Sequence, residues 1–189
     1  MTERESLPLI LDLGCGERKL HGAYGVDILD IPGVDLVQNL DDHPWPLPDE
    51  HFEWVRAMDV LEHVTDFVAA LQSIFRVLKP GGRFTCKMPF AGSVHHHTDP
   101  THRRSATSRT LDYFCDNGLW RQFRYTEPMF HLESFSYVRE IPVRPPVGSL
   151  IHRLDDLVLP ILEKHHDAYE HYGVAWYPVH SILFECTRL

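Results

Sequence analysis

"LDLGCGERKLHGAYGVDI", residues 11–28, decides the fold. One apolar run carries Asp12 at its end and a second closes on Asp27, with the turn Gly14-Cys15-Gly16 after the first. Short apolar runs bounded by turn residues read as buried strands, here 7–13 and 24–28. The link between them, "ERKLHGA", is shorter than the dozen or so residues a parallel crossover usually needs. Residues 17–23 are therefore expected to hold no helix longer than about one turn.

Outward from that stretch, strands and helices alternate. "GVDLVQNL" (33–40) and "EWVRAMDV" (53–60) read as the third and fourth strands, separated by the Pro-rich loop "HPWPLPDE". Phe67, Val68, Leu71, Ile74, Phe75 and Leu78 keep helical spacing, with Thr65 or Asp66 as the cap. "KPGG" (79–82) should stop that helix, and Phe84, Cys86 and Met88 alternate as in a fifth strand. A polar loop over 90–104 follows, then a short helix over 107–116 ended by Asn117-Gly118. "HLESFSYVREIPV" and "PVHSILFECTRL" are strand-like. Between them Leu150, Ile151, Leu154, Leu157, Val158, Ile161 and Leu162 form a helical stripe that Pro160 should kink. The stripe suits a lid or a dimer face.

This pattern gives an α/β, doubly wound sheet in one domain over 1–189, with a lid-like helical insertion at about 147–175. Such sheets bind ligands beyond the carboxyl ends of their strands. One rim then collects Asp12–Gly16, Asp27, Leu40–Asp42, Asp59–His63 and the 90–104 loop. Glycines after the first strand let a ligand approach the backbone, and an acid ending the second can accept from a ribose diol. On these residues alone a dinucleotide and S-adenosylmethionine fit equally well.

Composition narrows the partners. The chain has 189 residues, 43% of them hydrophobic, and a net charge of −9. That acidity argues against nucleic acid or an anionic membrane as the main partner. Cys15, Cys86, Cys115 and Cys186 form no CxxC pair and read as reduced thiols. The opening apolar run is too short for a signal or membrane segment, so the expected location is the cytoplasm.

"LDLGCG", "GVDI", "HFEWVRAMDVLEHV" and "SIFRVLKPGGRFTCKMP", in this order over residues 9–90, resemble the class I S-adenosylmethionine-dependent methyltransferases of the type 11-like branch. "LEHV" followed by "RVLKPGG" is the most specific part. The resemblance implies a Rossmann-like seven-stranded sheet, mostly parallel with an antiparallel C-terminal strand. It implies S-adenosylmethionine as cofactor, with Asp12, Gly14 and Gly16 flanking its methionine part and Asp27 on the ribose. Ile28 would pack on the adenine, and Leu40 and Asp41 would lie beside it. Backbone near Met58 and Asp59 would receive the ammonium. The family usually has a full helix between strands one and two. Its loss here leaves Arg18 or Lys19 to face the cofactor's carboxylate.

The acceptor side is less legible. The loop "HHHTDPTHRR" holds His95, His96, His97, Asp99 and His102, which suit a scaffold, an acceptor site or a metal site. Adjacent histidines lack zinc-motif spacing, so no metal site is assigned. His97 or His102 is expected to contact the acceptor as a base, and Asp99 to hold the loop through an Asx-type turn. His63 is expected to fix its loop, and Tyr113, Trp120 and Phe123 to wall a pocket or pack in the core. The expected activity is methyl transfer to a small molecule, without nucleic acid or membrane, by a protein able to form a homodimer. One rival is a catalytically silent methyltransferase-like subunit acting through a partner. The other, a nucleotide-dependent oxidoreductase, lacks a third glycine in register.

Overall fold

A computed structural model describes residues 7–123, 125–139 and 147–189, with side chains from 153 onward in the last segment. Seven strands form one sheet: β1 (Ile10–Leu13), β2 (Tyr24–Asp27), β3 (Leu36–Val37), β4 (Phe52–Met58), β5 (Leu78–Pro89), β6 (Phe130–Val138) and β7 (Ser181–Arg188). Their order is β3-β2-β1-β4-β5-β7-β6. The first five pair in parallel, and β7 runs antiparallel to both β5 and β6. This is the expected α/β sheet.

The short first crossover also appears as expected: between β1 and β2 lies only a 3-10 turn, Gly16–Arg18. Asp12 anchors it by accepting from Leu20 N at 2.8 Å. The Lys19 stem lies on Gly25, where an added Cβ would meet it at 2.4 Å. Among the described residues, only the β4–β5 crossover carries an α-helix long enough to cover the sheet, α1 (Phe67–Val77). Asp66 caps it, accepting from Ala69 N at 2.9 Å. Its Ala70, Leu71, Ile74 and Val77 are buried, as the periodicity requires.

The two sheet faces differ as a result. Phe84, Cys86 and Met88 of β5, with Ile182, Phe184 and Cys186 of β7, lie in the core. The opposite face carries polar neighbours: Arg56 on Asp12 at 2.7 Å, Arg83 on Glu185 at 2.8 Å and Lys87 on Asp59 at 2.8 Å. A face without covering helices can stay solvated when its side chains pair across strands.

Several local expectations are corrected. β3 is two residues, not eight. α1 ends at Val77, ahead of "KPGG", and β5 begins directly at Leu78 and runs through "KPGG", with a register shift between Phe52 and Trp54. The 90–104 loop contains a short helix, α2 (Val94–Thr98), capped by Ser93. Residues 107–116 form successive turns rather than a helix. Their backbone bonds are those of turns, Thr110 N to Thr107 O at 3.0 Å, Asp112 N to Arg109 O at 3.1 Å and Phe114 N to Leu111 O at 2.9 Å.

The last helix, α3 (Val147–Lys164), runs through Pro160 and is followed by α4 (His166–Ala168). Its apolar stripe is split between solvent and core. Leu154, Leu157 and Ile161 are exposed, while Leu159 and Leu162 pack on the core and Asp155 is buried. Asp155 fixes that rotation by binding Arg139 and the Tyr177 hydroxyl. The side chains of the expected positions Leu150 and Ile151, and the strand end at 140–143, lie outside what is described. Among the described residues no helix is long and apolar enough to cross a membrane.

Candidate active site

The carboxyl ends of β1, β2 and β4 enclose two cavities that share Gly14. The first, about 250 Å³, is lined by Asp27, Ile28, Gln38, Leu40, Asp41 and His63, among others. The second, about 440 Å³, is lined by Cys15, Gly16, Arg18, Arg56, Met58, Asp59 and Lys87, among others. The structure thus brings together eight of the nine residues expected to hold the cofactor. Asp12 is apart: it is fully buried, and its carboxylate binds Leu20 N and Arg56. It acts on the second cavity through Arg56.

Backbone geometry explains the glycines. Gly14 has φ +63°, and a Cβ there would stand 2.5 Å from Val60 Cβ. Its N–H bonds Val26 O at 2.8 Å, holding the turn against β2. Gly16 N donates to Asp27 Oδ2 at 2.8 Å, and Leu29 N to Asp27 Oδ1 at 3.0 Å. A carboxylate has about four acceptor positions, so Asp27 keeps capacity for a diol. Asp41 Oδ1 accepts from Thr65 N at 2.7 Å and Asp66 N at 3.2 Å, joining the first cavity to the start of α1.

Charge placement in the second cavity was only partly foreseen. Lys19 is held by Asp35 at 2.8 Å, outside the lining. Arg18 lines it, joined by Arg56 and by Lys87, which strand alternation alone did not single out. Burial, then the charges of Asp27 and Asp12, push the Cys15 thiol up to about 11, which disfavours its thiolate.

A third cavity, about 380 Å³, is lined by His95, Thr98, Asp99, Pro100 and His102. Asp99 forms the expected turn, accepting from Thr101 N at 2.8 Å and from the Thr101 hydroxyl at 2.6 Å. Those two bonds hold its carboxyl below the usual range. His97 is exposed, stacks edge-on against His96, and is not part of this lining. His63 touches both sides: it lines the first cavity and meets the His102 ring at 4.8 Å.

Two residues that sequence reasoning missed tie the halves together. Arg104 donates to the carbonyls of Leu61, Val64 and Thr65, clamping the turn after β4. Glu62 in that turn is 1% exposed, and burial, followed by the charges of Asp59 and Asp99, pushes its carboxyl up to about 7. The available signal was a carboxylate flanked by Leu61 and Val64 in "LEHV". Tyr113, Trp120 and Phe123 form an aromatic cluster with Tyr125, away from the linings of all three cavities.

Comparison with known proteins identifies the family and the fold. The profile of a methyltransferase domain family matches residues 2–139. A 74-residue stretch, 39% of the chain, is 53% identical to the ubiquinone/menaquinone biosynthesis C-methyltransferase UbiE of Proteus mirabilis (strain HI4320). That match spans only 26% of the relative's length. A SAM-dependent methyltransferase from Archaeoglobus fulgidus superposes with TM-score 0.57 at 15% identity, over 96% of this chain and 86% of that one. The Burkholderia thailandensis 1,6-didemethyltoxoflavin-N1-methyltransferase, solved with S-adenosylhomocysteine and its acceptor, superposes with TM-score 0.53 at 15% identity, over 96% and 71%. At such identities these two likenesses speak for the fold.

Proposed function

The chain belongs to the methyltransferase domain family, within the class I S-adenosylmethionine-dependent methyltransferases, and on that premise we propose that it transfers a methyl group from S-adenosylmethionine to a small molecule. The observation that carries the reading is the pair of cavities meeting at Gly14. The first offers Asp27 for a ribose and Ile28, Leu40 and Asp41 for an adenine. The second offers carboxylate and cationic groups for an amino acid zwitterion. Gly14 at their junction leaves room for the sulfonium.

Methyl transfer from a sulfonium is an in-line displacement, so the enzyme chiefly aligns acceptor, methyl and sulfur. The acceptor is assigned to the cavity at His102 and Asp99, next to His63 at the cofactor cavity. We assign this role to His102, which lines that cavity, rather than to exposed His97, which does not, and we assign Asp99 to shaping the loop. The 53% identity to a quinone C-methyltransferase favours an electron-rich ring as acceptor. The same reading gives nucleic acid no part, keeps the protein in the cytoplasm, and sets the stripe Leu154-Leu157-Ile161 against a second copy.

Calorimetry tests the core of this proposal. S-adenosylhomocysteine should bind at micromolar strength and NAD should not. Labelled methyl groups should then pass to a small-molecule pool. Tight NAD binding overturns the proposal. Cofactor binding without transfer to any acceptor favours the silent-subunit alternative. Light scattering decides the second copy.

A further inference from the structure

Three side chains at the junction of the cavities have no assigned task as a group. Glu62 is almost fully buried, and its Oε2 has no hydrogen-bond partner among the described residues. Its Oε1 faces His102 Nε2 at 3.8 Å, too far for a hydrogen bond. A buried carboxylate left in this state is costly unless a ligand satisfies it. One donor atom from each of Glu62, His63 and His102 lies within 4.8 Å of the others.

Both imidazoles are held so that one nitrogen stays bare. His102 Nδ1 lies 3.2 Å from the His96 carbonyl, which can only accept, so the neutral ring carries its proton on Nδ1. Its Nε2 lone pair is left on the side of Glu62. At His63 the partner is the Thr101 hydroxyl, 2.9 Å from Nδ1. That hydroxyl gives its own proton to Asp99, so it accepts from His63 and leaves Nε2 bare. Fixing a ring through its outer nitrogen, by a carbonyl or a carboxylate relay, is how proteins orient metal-binding histidines.

We infer that Glu62, His63 and His102 form a binding site for a divalent transition metal, two imidazoles and one carboxylate, beside the cofactor cavity. Asp99 Oδ2, 3.9 Å from His102 Nε2, stands at its rim. Imidazole-rich donors select ions such as zinc(II) or cobalt(II) over magnesium or calcium. A tetrahedral ion with bonds of about 2.0–2.1 Å brings its donors to about 3.3 Å apart, so binding draws the three side chains inward. Three protein donors leave a coordination position for a small ligand. His102 lines the third cavity, so that position opens toward the site assigned to the acceptor. This last point rests on the proposed function, and the metal site itself rests on the geometry alone.

The competing source of metal affinity is the run His95-His96-His97. Chelator-stripped full-length protein is titrated with zinc(II) against a chromophoric chelator, and with cobalt(II) by visible absorption. One equivalent of each is expected, with cobalt bands of a low-coordinate nitrogen and oxygen site. Glu62→Gln and His102→Ala should each weaken binding more than about 100-fold, and Thr101→Val about 10-fold. His97→Ala should bind as the parent does. Circular dichroism checks that each variant is folded. No uptake by the parent protein overturns the site. So does parent-like uptake by folded Glu62→Gln and His102→Ala, which would place the ion on the histidine run. Calorimetry with S-adenosylhomocysteine on the same samples keeps the readings apart: cofactor binding without metal removes only this site, and metal binding without cofactor removes only the methyltransferase reading.

Discussion

Four carboxylates in the cofactor half hold backbone N–H groups. Asp12 binds that of Leu20, Asp27 those of Gly16 and Leu29, Asp35 that of Gly25, and Asp41 those of Thr65 and Asp66. In the proposed acceptor half, Glu62 Oε2 has no hydrogen-bond partner among the described residues, and His63 and His102 make their hydrogen bonds through Nδ1. The first region is organised before any ligand arrives, because its side chains order the turns they sit on. The second keeps its polar atoms in reserve. On the proposed function, the difference puts cofactor binding on an ordered frame and selectivity on a set of side chains awaiting a partner.

The largest expected effect separates the two halves. His102→Ala removes the side chain assigned to the acceptor, a base in the metal-free protein and a ligand once an ion holds Nε2. It should lower turnover by about 10²–10⁴, the range for losing a general base. Its affinity for S-adenosylhomocysteine should stay close to that of the parent. Calorimetry and a labelled-methyl assay on one preparation measure both. An equal loss of cofactor affinity would mean that the halves are not separable.

Next in size is a pair within the frame. Gly14→Ala places a Cβ 2.5 Å from Val60 Cβ at φ +63°. Overpacking and left-handed strain together should cost about 2–4 kcal/mol of stability and close both cavities at their junction. Gly16→Ala has φ +49° but meets nothing within 4 Å, so about 1 kcal/mol is expected. Urea denaturation of the two variants gives the ranking, and similar costs would show that contact with Val60 does not shape the turn.

The cofactor half was legible because its residues follow strand ends, and strand ends are visible as breaks in apolar runs. Even the missing crossover helix could be counted from "ERKLHGA". The acceptor half depends on contacts between distant segments. Nothing local shows that Arg104 will clamp the carbonyls of Leu61, Val64 and Thr65, or that His102 will meet Glu62. The turns at 107–116 likewise meet a distant segment, Ser108 N donating to Glu170 Oε1 62 residues away, a contact no local pattern shows. On α3 the apolar stripe was legible as a pattern, but its rotation was not, because that depends on buried Asp155 meeting Arg139 and Tyr177 from other segments.

Asp27→Ala sharpens the comparison from the cofactor side. Hydrogen bonds to a charged group contribute about 1.5–3 kcal/mol, so affinity for S-adenosylhomocysteine should fall by that amount. The Gly16 and Leu29 N–H groups remain open to water, so the fold should survive. Unchanged affinity would leave Asp27 a turn former only.

Asp41 gives the smallest effect and the finest test, since it serves both the frame and the cavity. Burial pushes its carboxyl pKa up, but the hydrogen bonds from Thr65 and Asp66 and the charge of Arg103 outweigh that and hold it below the usual value. A folded-state pKa below the unfolded one means that the unfolded chain binds more protons through this window. The stabilisation is therefore present above the ordinary carboxylate pKa of about 3.9 and is lost as pH falls through the lower, folded value. Asp41→Asn keeps the shape and removes the charge beside the start of α1. Such a charge contributes about 0.5–1 kcal/mol where solvent screens it partly. The variant should be less stable than the parent by that amount at pH 7, and the gap should close as acid neutralises the parent's carboxyl. Urea midpoints for both proteins across that range measure it. A gap that persists in acid would mean that Asp41 acts by shape alone, and the carboxylates of the cofactor half would then order their turns without using their charge.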